Sequence, residues 1–267
     1  MSLWEIILLA IVQGLTEFLP VSSSGHLLVA NGLLESMGRP PVQDLLEVSI
    51  VLHLGTLAAV LAFYRQEISL LFTSDRRVIA LLVLGTIPAA ILGVLLKKVI
   101  AEQQSALVLQ NVLLAGFMFP ITALLLVWAE RRTAGDQHYS QLGWDKVLVI
   151  GLFQAVALLP GISRSGSTIA AGLAVGLRRE AAATFAFLLA IPAIAGAGLL
   201  ESIDVLKSGS TGTPMGILAV GFFVSMIVGL GSLALLIRWV RQGRLTMFAY
   251  YLVPLGIAVV LWQTSSR

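Results

Sequence analysis

The sequence predicts an all-α polytopic membrane protein: six transmembrane helices and two re-entrant helical hairpins in an inverted-topology repeat. Three observations carry this. Of 267 residues, 58% are hydrophobic and only 12% charged, with a mean hydropathy of +0.95, whereas soluble domains carry about 25% charged residues. The apolar segments are long and rich in helix formers and glycine, without the roughly ten-residue alternation of a membrane β-barrel. Two polar clusters, "LPVSSSGH" at 19–26 and "LPGISRSG" at 159–166, interrupt apolar stretches too short to cross a bilayer.

A crossing needs about twenty apolar residues. Six stretches meet or approach this length: 45–64, 78–97, 106–129, 181–201, 214–238 and 246–263. Two shorter stretches, 3–12 and 147–160, continue through a proline and a Ser/Gly cluster into 27–34 and 169–177. At about 1.5 Å per residue such helices reach only about half-way through the membrane. They read as re-entrant hairpins over 3–34 and 147–177 with polar tips. The chain is then one membrane domain, 1–267, with halves 1–132 and 144–267, each a hairpin followed by three crossings.

Ser22-Ser23-Ser24-Gly25 matches Ser163-Arg164-Ser165-Gly166 at an offset of 163 − 22 = 141, and Pro20 and Pro160 precede them similarly. Gln13 and Gln154 hold comparable places in the feeding helices. Three crossings per half is an odd number, so the second half is inverted relative to the first. Interrupted segments at corresponding places in two halves point to a binding site near the midplane.

Charge sets the orientation. One side holds Arg39, Lys97, Lys98, Lys207 and Arg267. The other holds Arg65, Arg76, Arg77, Arg131, Arg132, Lys146, Arg178, Arg179, Arg238, Arg241 and Arg244. Eleven against five places the second side in the cytoplasm. Both termini and the first hairpin's mouth then face outward. These basic residues lie in short loops and set topology; the net charge of +3 gives no reason to expect nucleic acid. There are no cysteines, which removes disulfides, thiolate metal sites and cysteine nucleophiles. Glu5 and the lack of a basic leading region argue against a cleaved signal peptide.

Ionisable residues inside a membrane mark functional sites by default. In the first cluster Glu17, Ser22, Ser23 and His26 fall within ten residues. If a helix restarts after Pro20, Ser22 and His26 are four apart and Ser23 and His26 three apart, so the imidazole meets either hydroxyl. Glu17 would orient the imidazole or hold a cation. The plainer alternative makes Ser22 a helix cap and His26 interfacial. In the second cluster Arg164 is the one basic residue placed well inside the membrane, among Ser163, Ser165, Ser167 and Thr168. Its planar fork suits carboxylate or phosphate. Gly161 and Gly166 let backbone N–H groups approach, and a helix beginning near 166 aims its dipole at the same spot. This is a phosphate-binding construction; the competing and compatible reading is an Arg164–Glu17 salt bridge tying the hairpins together. His53, alone in "VLHLG", reads as hydrogen-bonded packing and Glu47 as a helix-terminal charge. Gln110 and Asn111 read as interhelical hydrogen-bond residues, His138 as solvated, and "AIAGAG" and "GLGS" as close helix contacts.

"QGLTEFLPVSSSGH" and "LPGISRSGSTIAAGL", with the spacing of Gln13 and Glu17 and the PGxSRSxxT pattern of 160–168, resemble undecaprenyl-pyrophosphate phosphatases of the bacitracin-resistance type. The resemblance spans both halves. It implies a bacterial inner-membrane enzyme that removes one phosphate from a C55 lipid pyrophosphate and so recycles the carrier for peptidoglycan. Carried over by position, the functional residues are Glu17, Ser23, His26, Ser163, Arg164, Ser165 and Thr168. Many members have Glu where this chain has Gln13. The phosphatidic-acid phosphatase type 2 pattern, by contrast, needs a histidine six residues after Arg164, where Ala170 stands.

These residues describe a phosphatase whose site lies where the tips meet. Arg164, with Ser163, Ser165, Gly166 and Thr168, binds pyrophosphate and stabilises developing charge, with Gln13 and Ser22 lining the site. Ser23 or His26 is the nucleophile; if Ser23 attacks, His26 is its base, oriented by Glu17. A Mg²⁺ or Ca²⁺ ion held by Glu17 and phosphate oxygens is the expected cofactor. The expected partners are the polyprenyl pyrophosphate substrate, membrane lipid and a second copy of the chain as a homodimer. The rival is a polyprenyl-phosphate carrier using the same midplane anion site.

In the cysteine-free background, single cysteines replacing Arg132 and Arg241 should react with impermeant thiol reagents only from the cytoplasmic face. One replacing Arg39 should react only from outside. Labelling of all three from one face would contradict the inverted arrangement.

Overall fold

The computed structural model describes residues 2–36, 38, 45–99, 109–208 and 213–265. Among these are eleven α-helices: α1 (Leu3–Thr16), α2 (Ser23–Ser36), α3 (Leu45–Phe63), α4 (Arg65–Leu71), α5 (Arg76–Val99), α6 (Val112–Glu130), α7 (Trp144–Val156), α8 (Arg164–Ala174), α9 (Arg179–Ser208), α10 (Met215–Arg241) and α11 (Thr246–Ser265). The described residues form no β-strand, only an isolated bridge between Gln137 and Leu177. The described residues are all-α, as the sequence predicts.

Five helices, α5, α6, α9, α10 and α11, are long and apolar enough to cross a membrane. The sixth expected crossing is α3, which passes the same test only together with α4, and the two are bent by 76°. The bend follows the sequence: α3 is apolar, whereas α4 opens on Arg65, Gln66 and Glu67. The third crossing was expected over 106–129. Its helix starts at Val112, because the Asn111 side chain accepts from Leu114 N at 3.0 Å and caps it. Asn111 is thus a cap and not an interhelical strut; residues 106–108 lie outside the described residues. So do Arg39, Arg267 and the side chains of Lys97, Lys98 and Lys207, the sparse side of the charge asymmetry.

Both hairpins are present as broken helix pairs. α1 and α2 are separated by residues 17–22, α7 and α8 by 157–163, and each pair packs together. The first helix of each hairpin lies against a crossing of the opposite half, α1 on α10 and α7 on α5. The same exchange relates α3 on α10 to α9 on α5, while α3 packs on α9 and α6 on α11. The hairpins are therefore gripped by a common sleeve of crossings. Its core is a continuous apolar cluster that includes Phe18, Tyr64, Phe119, Leu126, Ile169 and Phe187.

Close approach within the sleeve depends on small residues. A Cβ at Gly55 on α3 would lie 2.5 Å from the Phe222 carbonyl oxygen of α10, and one at Gly229 would lie 2.9 Å from the Phe18 ring. Of the two stretches expected to make close helix contacts, "GLGS" does so through Gly229 and through Ser232, whose hydroxyl donates to the Gly14 carbonyl at 2.7 Å. Around Gly231, and around Gly196 and Gly198 in "AIAGAG", nothing lies within 4 Å of an added Cβ. His138, expected to be solvated, is half-buried: its Nδ1 lies 2.8 Å from Ser140 Oγ, and the ring lies against Tyr139 at 4.1 Å. Burial, and then the Arg178 charge, hold its imidazole below the usual histidine range.

Gly55→Ala should cost about 1–3 kcal/mol through overpacking against a backbone that cannot yield. Gly196→Ala, with open space around it, should be neutral or slightly stabilising. Thermal unfolding of both variants in detergent checks the pair.

Candidate active site

The two hairpin tips meet. The first tip turns at Ser22, the one non-glycine among the described residues with a positive φ, at 74°. For an L-residue that conformation costs about 1–2 kcal/mol, so its neighbours must hold it. The Ser22 hydroxyl accepts from Gly161 N of the second tip at 3.1 Å and from Gly25 N at 3.4 Å. Gly161 has φ 89°, and a Cβ there would lie 2.4 Å from the Ala115 carbonyl. Only glycine satisfies both demands. Ser165 Oγ donates to the Leu19 carbonyl at 3.3 Å, and Thr122 on α6 donates to the Gly161 carbonyl at 2.8 Å and accepts from Ser163 N at 3.1 Å.

At the centre is Glu17, 7% exposed. Its Oε1 pairs with Arg164 Nη2. Its Oε2 accepts from Ser23 Oγ at 2.7 Å and from Gln13 Nε2 at 3.0 Å, and faces His53 Nε2 at 3.7 Å. Glu17 ends α1, where the helix dipole is negative, and Arg164 opens α8, where it is positive. Each charge therefore sits at the unfavourable end of its own helix, and the two are stabilised by each other across the junction. Arg164 Nη1 is buried without a hydrogen-bond partner.

The sequence-predicted residues are brought to this junction, with different partners from those expected. Ser23 meets Glu17 rather than His26. His26 Nδ1 faces the Ser22 carbonyl, not a hydroxyl, at 2.7 Å, and Nε2 faces Tyr251 OH at 2.8 Å. Ser163 caps α8 by accepting from Gly166 N at 3.1 Å, and Thr168 Oγ1 donates back to the Arg164 carbonyl at 2.9 Å. With Ser22 and Ser165 tying the tips, these hydroxyls build the junction. Those left for an anion are the Arg164 fork, Ser23 Oγ and the Arg164 and Ser165 N–H groups that open α8, the Gly166 N–H being taken by Ser163. Gln13 is in the site; its counterpart Gln154 instead donates to Gly85 O on α5 at 3.4 Å.

His53, read as packing, belongs to the site: its Nδ1 donates to the Ser49 carbonyl at 2.7 Å, which aims Nε2 at Glu17. The signal was there, an imidazole at membrane depth, but its partner is 36 residues away in sequence. Tyr251, Phe119 and Thr122 gave no signal, because each is an ordinary helix residue until the fold brings it to a tip. α8 is buried over Ser165–Leu173, whereas α2 buries only Gly25 and Leu34. The site is therefore approached from the α2 side.

A family model described as bacitracin resistance protein BacA matches residues 6–258. An undecaprenyl-diphosphatase of Rhodopirellula baltica is 45% identical over 261 residues, covering 97% of this chain and 98% of that protein. Proteins of the same description from Methanosphaera stadtmanae, 35% identical with 96% of each chain covered, and Halothermothrix orenii, 36% identical with 98% of each covered, match equally fully. The chain belongs to the bacitracin resistance protein BacA family.

Proposed function

We propose that this protein is an undecaprenyl-diphosphatase of a bacterial cytoplasmic membrane, hydrolysing the C55 lipid diphosphate to the monophosphate and inorganic phosphate. Its relatives carry that description over nearly their whole length. The observation that carries the reading within this chain is the Glu17 carboxylate, shared between a guanidinium and a serine hydroxyl at one junction. An anion holder, a nucleophile and a base are thereby within reach of one phosphate.

The terminal phosphate competes with Glu17 for Arg164, engaging the unpartnered Nη1 and the N-terminus of α8. Glu17, released from the guanidinium, takes the Ser23 proton on Oε2. Ser23 Oγ attacks the terminal phosphorus, the bond to the bridging oxygen breaks, and the lipid monophosphate leaves with that oxygen. Water then hydrolyses the phosphoserine and inorganic phosphate departs. Arg164 stabilises the charge on the transferring group throughout. The Ser23–Glu17 contact favours Ser23 over His26 as nucleophile, since both imidazole nitrogens are engaged elsewhere.

A divalent ion fits as one shared with substrate. Among the described residues no three His, Cys, Asp or Glu side chains gather as a cage. Glu17 and the buried, unpartnered Gln13 Oε1 are hard oxygen donors of the kind Mg²⁺ uses beside phosphate oxygens. When bound there, the ion would neutralise phosphate charge. The site opens outward in this reading, with the Lys/Arg-rich side cytoplasmic.

Purified protein in detergent should release one phosphate per C55 diphosphate; transport without hydrolysis would favour the carrier instead. Arg164→Lys keeps the charge but loses the fork, so turnover should fall about a hundredfold or more. Retention of most activity by that variant would remove Arg164 from its assigned role. Ser23→Ala should lose nearly all turnover while still binding a non-hydrolysable diphosphate analogue; full turnover would exclude Ser23 as nucleophile.

A further inference from the structure

The His26 imidazole is held at both nitrogens. Nδ1 lies 2.7 Å from the Ser22 carbonyl oxygen, which only accepts, so Nδ1 carries the hydrogen. In the neutral ring Nε2 is then the acceptor, and the Tyr251 hydroxyl donates to it from 2.8 Å. The Tyr251 ring lies nearly parallel to the imidazole, with centroids 5.6 Å apart and an interplanar angle of 18°. Phe119 meets the imidazole edge-on at 5.1 Å. The Ser22 carbonyl sets the tautomer from within the hairpin, while Tyr251 and Phe119 hold the ring from outside it.

What His26 grips in turn is the carbonyl of the strained residue. Ser22 has φ 74° and stands immediately before Ser23, whose hydroxyl reaches Glu17 Oε2 at 2.7 Å. A change in the Ser22 turn swings the first turn of α2 and moves Ser23 off the carboxylate. The line of donors therefore runs from Tyr251 O–H to His26 Nε2, and from His26 Nδ1–H to the Ser22 carbonyl.

We propose that Tyr251 is a positioning residue of the reaction: its hydroxyl, donating to Nε2, holds the imidazole in the orientation in which Nδ1–H clamps the left-handed Ser22 turn and keeps Ser23 on Glu17. This rests on the hydrolytic reading above and goes beyond it. It brings the last crossing, α11, into the site, and it gives His26 work that needs neither nucleophilic attack nor proton uptake. The Ser22 carbonyl on Nδ1 decides the tautomer, and the bare Nε2 it leaves is what the Tyr251 hydroxyl engages.

Tyr251→Phe tests this directly, because it keeps the ring, its stacking and its packing and removes only the O–H. Without the donor the ring loses its outer anchor, and part of the population turns away from the Ser22 carbonyl. The kcat on C55 diphosphate should fall about tenfold, the scale of one lost hydrogen bond, with KM changed less than twofold. The melting temperature should stay within a few degrees of wild type. Independently of activity, ¹⁵N signals of the His26 ring should show protonated Nδ1 and bare Nε2 in the wild type, and the Nδ1–H should exchange faster with solvent in Tyr251→Phe. An unchanged kcat in Tyr251→Phe, or a protonated Nε2 in the wild type, would overturn the proposal. A wild type that releases no phosphate would overturn the hydrolytic reading instead, while the ring signals would still report whether Tyr251 holds the imidazole on the Ser22 carbonyl.

Discussion

The Glu17–Arg164 ion pair is the interaction on which the rest of this structure depends. Each partner opposes the dipole of its own helix, and each has been taken out of water into a membrane interior. A buried ion pair is a poor source of net stability, because desolvating both charges offsets most of their attraction. Removing one partner, however, leaves an uncompensated charge. Such a pair holds the hairpins in register without being strongly bound, and an arriving phosphate can replace the carboxylate at little cost. The same arrangement explains why Arg164 keeps one nitrogen unpartnered in the resting state.

The pair forms only if two tips, separated by more than a hundred residues, are placed to within about an ångström. Packing supplies that placement. α1 lies on α10 and α7 on α5, so neither hairpin is held by its own half alone. Gly14 brings α1 close to the α10 backbone and Gly151 brings α7 close to the Gly85 carbonyl of α5, so tilting either hairpin would create clashes. At the tips, Ser22, Ser165 and Thr122 spend their hydroxyls on backbone groups of the opposing turn or its neighbour. Most of the polar side chains in the two clusters build the junction, which leaves few for the substrate.

Much of the architecture was legible because the membrane imposes strict rules. Segments of about ten residues cannot cross, and Glu17 and Arg164 cannot sit in hydrocarbon unpaired, so the hairpins and their meeting followed from length and charge. The partner of each hydroxyl was not legible. Helical spacing puts Ser23 within reach of His26, but the left-handed Ser22 turn rotates Ser23 toward Glu17, and nothing in a serine announces a positive φ. His53 and Tyr251 escaped for a related reason. Their partners lie 36 and 225 residues away, and only the packing of α3 and α11 beside the first tip brings them together. Asn111 shows the converse, a polar residue at an apolar boundary whose capping role could have been recognised from its place before "VLLAGF".

The claim that Glu17 and the substrate phosphate compete for Arg164 is open to one direct measurement. Glu17→Gln removes the resting partner of the guanidinium while keeping the side chain's shape. Its affinity for a methylene-bridged, non-hydrolysable prenyl diphosphate should be measured against wild type by calorimetry in detergent. Competition predicts tighter binding by the variant, about tenfold, together with loss of turnover. Weaker binding would mean that Glu17 helps to hold the diphosphate, and would contradict the account.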